Sequence, residues 1–199
     1  MKIMRTTTLI DQKGFSKSED YNRCFNNVKE AIKTIEYPKG SGHFYLYDKK
    51  QGNGVKPIKD AFIEKLNMLG WEDEKKVSDP FIKKRRIDSS IKLGDGTYYA
   101  VEWETGNISS SHRALNRIIL GMMEGHLRGG FLVLPSRSMY YYLTDRIGNY
   151  QELEPYFKVW RELNKSIPNG TLQIIEIEHD GVSKDIPPIK KGTDGRALV

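Results

Sequence analysis

Apolar residues recur at intervals of three and four through Tyr21, Phe25, Val28, Ile32 and Ile35, which predicts an amphipathic helix over 18–35. Ser18 suits its N-cap, Glu19 and Asp20 favour the positive end of its dipole, and Tyr37-Pro38-Lys39-Gly40 ends it. This is the first element the pattern defines. A short strand is expected over 44–47, a turn at Gly52-Asn53-Gly54, and a second helix from Pro57 to Gly70 that buries Ile58, Phe62, Leu66 and Leu69. The period then changes to two. Residues 87–93 and 97–104 alternate around Gly94-Asp95-Gly96, a hairpin signal. A helix over 109–123 follows, with Leu115, Ile118, Ile119 and Met122 as its apolar side. Beyond it the pattern predicts a buried strand over 131–134, helices over 139–146 and 153–163, and a strand over 171–177. Strands alternating with helices after a hairpin imply an α/β fold, a mixed central sheet flanked by helices. No linker divides the chain, so one domain is expected, with a mobile C-terminal arm from about residue 186 where Pro, Lys and Gly replace hydrophobics.

Charge changes this picture. The 199 residues carry 32 Lys and Arg against 26 Asp and Glu, a formal +6, which suits a protein that approaches phosphates, though many basic proteins bind no nucleic acid. Lys83-Lys84-Arg85-Arg86 is a basic run of the kind that usually stays solvated. One cysteine, Cys24, excludes an intrachain disulfide framework and a thiolate zinc site. No apolar stretch reaches the ~20 residues of a membrane span, and a cytoplasmic protein is expected.

Candidate chemistry concentrates in one stretch, Val101-Glu102-Trp103-Glu104-Thr105-Gly106-Asn107-Ile108-Ser109-Ser110-Ser111-His112-Arg113. On a strand, Glu102 and Glu104 project to one face, with Cα atoms roughly 6.5–7 Å apart. A suitable hairpin register adds Asp88 to that face. Glu-x-Glu on a strand is most often a wet sheet surface. The partner acid, the Gly106 break and the basic surroundings point instead to Mg²⁺-dependent phosphodiester cleavage. Asp88 and Glu102 would hold a cation, and Glu104 would hold a second or take the proton from the attacking water. Paired acids for glycoside hydrolysis flank a sugar from opposite sides, which two neighbours on one strand face do not do. Asn107, Ser109 and Arg113 suit both helix capping and the reading of base edges. His43, His112, His126 and His179 share no ligand spacing, and His112 fits a helix surface better than a catalytic role.

The stretch from Glu102 to Arg113, with Tyr141-Tyr142-Leu143-Thr144-Asp145-Arg146 and Glu152-Leu153-Glu154-Pro155-Tyr156-Phe157, resembles the BamHI-type type II restriction endonucleases. Weaker echoes lie at Asn53-Gly54-Val55-Lys56-Pro57-Ile58-Lys59 and Lys191-Gly192-Thr193-Asp194-Gly195. The resemblance implies a restriction-endonuclease-like core and a homodimer that cuts double-stranded DNA at the palindrome GGATCC after its first G. It further implies 5′ overhangs, Mg²⁺ as cofactor and a cognate methyltransferase in the same restriction-modification system. It places Asp88, Glu102 and Glu104 on the family's catalytic acids, with the Trp103 carbonyl as a further metal ligand. A fourth acid falls on Glu74 within Trp71-Glu72-Asp73-Glu74-Lys75. The spacing from Glu74 to Asp88 is shorter than in the family, so Glu72 stays open for that place. Asn107, Ser109, Arg113, Asp145 and Arg146 fall on major-groove readers, Lys59 on a DNA contact, and Asp194, Gly195 and Arg196 on minor-groove contacts. The chain stops at Val199, shortly after them. Two other readings stay open: a non-catalytic sequence-specific DNA-binding regulator, and a nuclease of relaxed, repair-type specificity.

Overall fold

A computed structural model describes residues 1–74, 77–144 and 146–192. Its elements run β1 (Lys2–Gln12), α1 (Glu19–Lys33), β2 (Tyr45–Tyr47), α2 (Lys56–Met68), β3 (Glu72–Asp73) and α3 (Pro80–Arg85). Then come β4 (Ser89–Lys92), β5 (Tyr98–Trp103), α4 (Ile108–Met123), β6 (Leu127–Pro135) and α5 (Arg137–Tyr142). The series closes with α6 (Tyr150–Leu153), α7 (Phe157–Glu162), β7 (Gly170–Glu178) and β8 (Gly181–Ser183). Six strands form one sheet in the order β1-β7-β6-β5-β4-β3, while β2 and β8 pair separately. The β7–β6 and β6–β5 pairings are parallel and the others in the large sheet are antiparallel, so the expected mixed sheet is observed.

Each sheet face covers its own apolar layer. Tyr99, Val101, Trp103, Phe131, Val133 and Ile175 pack with α1 and α2. Alternate residues Tyr98, Ala100, Leu132, Leu134 and Ile174 pack with α4, α6 and α7. Both layers are apolar because parallel strands in the middle of the sheet have no wet face. Glu102 belongs to the α4 side, where it is 3% exposed.

Several elements differ from the pattern-based expectation, each for a local reason. The strand β1 lacks a clean alternation because its pairing with β7 shifts between Ile3 and Arg5 and again between Thr8 and Ile10. The basic run ends α3, which opens on the Asp79 cap and Pro80; cations there complement the helix dipole, and Arg85 lies over the Phe81 ring. The helix expected over 153–163 is interrupted by a 3-10 turn at Glu154–Tyr156, since Pro155 has no N–H to continue the ladder. The helix expected over 139–146 spans 137–142 instead. Leu143 turns extended and bridges Asn53, and Thr144 N–H donates to the Asn53 carbonyl.

Asn53 is a junction. Its Oδ1 accepts from Tyr47 N–H at 3.0 Å and Ile189 N–H at 3.4 Å, and its Nδ2 donates to the Tyr47 and Tyr142 carbonyls. Beside it, Gly54 N–H donates to the Ile189 carbonyl, and a Cβ on Gly54 would sit 2.3 Å from the Lys190 oxygen. The C-terminal arm expected from about residue 186 is thus held against this junction at Ile189, which is 6% exposed. Asn53→Ala would strand several buried backbone groups, and we expect a loss of about 2 kcal/mol in urea unfolding. A loss within 0.5 kcal/mol, the range of an ordinary surface change, would show that water replaces these bonds without penalty.

Candidate active site

The hairpin register decides the site. Ser89 pairs with Val101 and Ser90 with Ala100, so the next step places Asp88 opposite Glu102 on one face. Asp88 Oδ2 accepts the Trp103 N–H at 2.9 Å, in the place of a ladder bond, which fixes the carboxylate at the strand end. Its Oδ1 accepts from Lys59 Nζ at 2.5 Å. Lys59 comes from α2, whose apolar side packs on the opposite layer, with the Phe62 ring one turn later tilted against Trp103 at 4.7 Å between centroids.

Glu104 follows β5 and is turned into the start of α4. Its Oε1 accepts Gly106 N–H at 2.7 Å and its Oε2 accepts the Ser111 hydroxyl. Gly106 has no room for a side chain, since a Cβ would meet Ser110 Oγ at 2.4 Å. Gly148 N–H donates to the Gly106 carbonyl at 2.8 Å, and a Cβ there would strike Ser111 Oγ. The loop that carries Arg146 is therefore fastened to the turn that carries Asn107.

A pocket of about 200 Å³ is lined by Lys59, Asp88, Glu102, Trp103, Glu104, Ser110, Arg113 and Arg117, among others. Burial, and next the charge of Asp88, push the Glu102 carboxyl well above its usual range, partly offset by Arg117 and Lys59. Burial raises Glu104 to about 7 against the pull of the Ser111 and Gly106 hydrogen bonds. Arg117 Nη2 stands 3.0 Å from Glu102 Oε1, yet that oxygen has no hydrogen bond of good geometry among the described residues. The guanidinium is held elsewhere, Nη1 donating to the Arg85 carbonyl at 3.0 Å.

The donors suit a hard cation. An orphaned, buried Glu102 oxygen beside Asp88 offers the oxygen ligands that Mg²⁺ prefers. Among the described residues no three Asp, Glu, His or Cys side chains are already gathered into a complete shell. Two acids are occupied instead, Asp88 by Lys59 and Glu104 by Ser111.

The other expected site residues divide. Asn107 and Ser109 are exposed at the start of α4, where Asn107 Oδ1 caps Ser109 N–H at 3.1 Å. The capping reading is realised for Asn107 and leaves the residue at the protein surface. Arg113 is exposed at the pocket wall, its Nη2 donating to Ser110 Oγ. Arg146 is exposed with φ 49°. Glu74 is exposed in the turn after β3, while Glu72 sits on β3 opposite Ser90 and keeps a buried oxygen without a partner among the described residues. Neither lines the pocket. Asp145, Asp194, Gly195 and Arg196 lie outside the described residues. His112 packs edge-on against Tyr156 at 4.7 Å, a surface role as expected. Sequence reasoning missed Arg117 and Ser111. Arg117 stands one helical turn after Arg113 and was open to the i, i+4 rule; Ser111 carried no signal.

The family model for the restriction endonuclease BamHI matches residues 1–196. The type II restriction enzyme OkrAI of Oceanobacter kriegii is 45% identical over 198 residues, covering all of both chains. The type II restriction enzyme BamHI of Bacillus amyloliquefaciens is 33% identical, over 90% of this chain and 85% of its own. The fold is shared with the restriction endonuclease BglII, solved with a DNA 16-mer: TM-score 0.63 at 10% identity, covering 90% of this chain and 79% of that one. With a family match across nearly its whole length and a full-length relative at 45% identity, this chain belongs to the BamHI family of type II restriction endonucleases.

Proposed function

We propose that the enzyme is a homodimer that cuts double-stranded DNA at GGATCC after the first G, with Mg²⁺, leaving 5′ overhangs. We place it in the cytoplasm, beside a methyltransferase that protects the same sequence. Among the described residues no helix is long and apolar enough to cross a membrane. The observation that supports the reading is the bonding of the acidic strand end to the start of α4. Glu104 hydrogen-bonds the turn from which Asn107, Ser109 and Arg113 project, so acids and base-reading side chains share one rigid frame.

The expected residue roles follow from chemistry. Arg113 and Arg146 suit guanine O6 and N7, Asn107 suits adenine, and Asp145 suits the cytosine amino group. Ser109 accepts or donates at either, and Asp194, Gly195 and Arg196 reach for the minor groove. Bound by Asp88, Glu102 and the Trp103 carbonyl, Mg²⁺ would supply Lewis acidity to the phosphodiester and the attacking water. Glu104, poised near neutrality, suits the proton transfer that hydrolysis requires. Glu74 remains the proposed fourth acid by family position and Glu72 its alternative, the latter supported by its unpartnered buried oxygen.

Digestion of a plasmid of known sequence with Mg²⁺, followed by sequencing of fragment ends, tests this directly. Uniform ends within GGATCC are expected. Heterogeneous ends would keep a nuclease and discard the specificity. Tight binding without scission would leave a DNA-binding regulator.

A further inference from the structure

We infer that Lys59 is a resident counter-ion of the acidic site, holding Asp88 away from a divalent cation until DNA draws the ammonium off. The inference rests on the metal-dependent reading proposed above. Its starting point is the 2.5 Å contact between Lys59 Nζ and Asp88 Oδ1, with side chains only 23% and 13% exposed. Each Asp88 oxygen thereby already has a partner, one Lys59 and the other the Trp103 amide. A cation approaching Asp88 meets an ammonium already in place, and like charges exclude each other from one oxygen.

Two cations flank the acid pair, and the structure separates their roles. Arg117 is tied through Nη1 to the Arg85 carbonyl, and its approach to Glu102 makes no proper hydrogen bond. It is anchored elsewhere and has no reason to leave. Lys59 differs. Among the described residues Asp88 is the hydrogen-bond partner of its ammonium, and a flexible four-carbon stem carries it from α2 to that acid. The packing of Phe62 on Trp103 fixes where that stem begins, so the head can swing while the helix stays. A DNA phosphate entering the pocket offers Lys59 a competing anion within the same reach. Once Lys59 turns to the phosphate, Asp88 faces the orphaned Glu102 oxygen without a positive charge on it.

The consequence is coupling between DNA and cation. Free enzyme binds the cation weakly, and cognate DNA strengthens it by more than the phosphate oxygens alone provide. By linkage the cation strengthens DNA binding to the same degree. A neutral side chain at position 59 relieves the competition in advance and shrinks that coupling.

The test uses Tb³⁺, an oxygen-seeking cation with luminescence that nearby Trp103 can sensitise, on the full-length DNA-free protein. Lys59→Met is expected to bind Tb³⁺ about tenfold more tightly than wild type, equivalent to ~1.4 kcal/mol. Lys59→Arg keeps the charge and is expected to stay near wild type. Adding a GGATCC duplex should tighten wild type by a larger factor than Lys59→Met, which closes the thermodynamic cycle. Matched thermal melts check that the variants are folded. Equal Tb³⁺ affinity in folded Lys59→Met and wild type overturns the counter-ion role. Asp88→Asn separates the two levels. If it binds Tb³⁺ as tightly as wild type, the cation site itself is misplaced and the metal reading fails with it.

Discussion

Replacing Glu102 with glutamine is expected to lower single-turnover cleavage by at least about 10³-fold while leaving the fold and metal-free binding of GGATCC duplexes intact. Glu102 is buried near the C-terminal end of β5, and that burial, with the charge of Asp88 next, pushes its carboxyl well above the usual range. Glutamine has the same shape and no charge to bury, so it costs no stability at neutral pH. Arg117 keeps its bond to the Arg85 carbonyl and stays about one-third exposed, so it is not left as an isolated buried charge. What disappears is a carboxyl beside Asp88 that can give up its proton to a divalent cation, and with it a ligand for that cation. The side chains proposed to read bases, at the start of α4 and at Arg146, make no hydrogen bond or ion pair to Glu102 among the described residues, which is why readout should survive. Cleavage within tenfold of wild type would remove Glu102 from the chemistry. Loss of duplex binding in a folded variant would dissolve the division between cutting and reading.

The geometry behind that proposed division was legible in the sequence because it is local. Alternation on two strands and the Gly94-Asp95-Gly96 turn were enough to put Asp88 across from Glu102, and the observed pairing has that register. The helix start at Asn107 was equally readable, since Asn before an apolar periodic stretch is a capping signal. What escaped is non-local or irregular. No property of Lys59 in the chain points to Asp88, 29 residues later; the pair exists because Phe62 docks on Trp103. The strand β1 hides behind two register shifts and a run of threonines. Pro155, plain in the sequence, breaks a helix that the apolar spacing on either side continues. The fourth acid stays unassigned for a related reason. The ladder between β3 and β4 ends at Asp73, so no pairing carries Glu74 to the pocket.

Glu104 carries the second large expectation, because it serves the chemistry and the frame at once. Glu104→Gln should lose cleavage by about 10³-fold, the scale at which one essential acid or base is usually felt. Glu104→Ala should lose as much cleavage and also weaken cognate binding by about tenfold. Alanine abandons Gly106 N–H and Ser111 Oγ, and with them the turn that presents Asn107 and Ser109. The wild-type pH profile follows from the direction of the shift. Burial raises Glu104 to about 7, so the group is largely protonated at pH 6 and becomes an anion as pH rises through neutrality. At a fixed low Mg²⁺ concentration the cleavage rate should climb with a midpoint near 7. Added Mg²⁺ should move that midpoint downward, because cation and proton compete for the same oxygens. Stability runs the other way. A carboxyl raised in the folded state holds its proton longer there than in the unfolded chain, so this contribution falls between the ordinary glutamate range and about pH 7. Glu104→Gln should therefore flatten the stability curve above pH 5 as it abolishes cutting. A wild-type rate profile flat from pH 5.5 to 8, with a midpoint insensitive to Mg²⁺, would mean that Glu104 is not the group whose ionisation the reaction awaits.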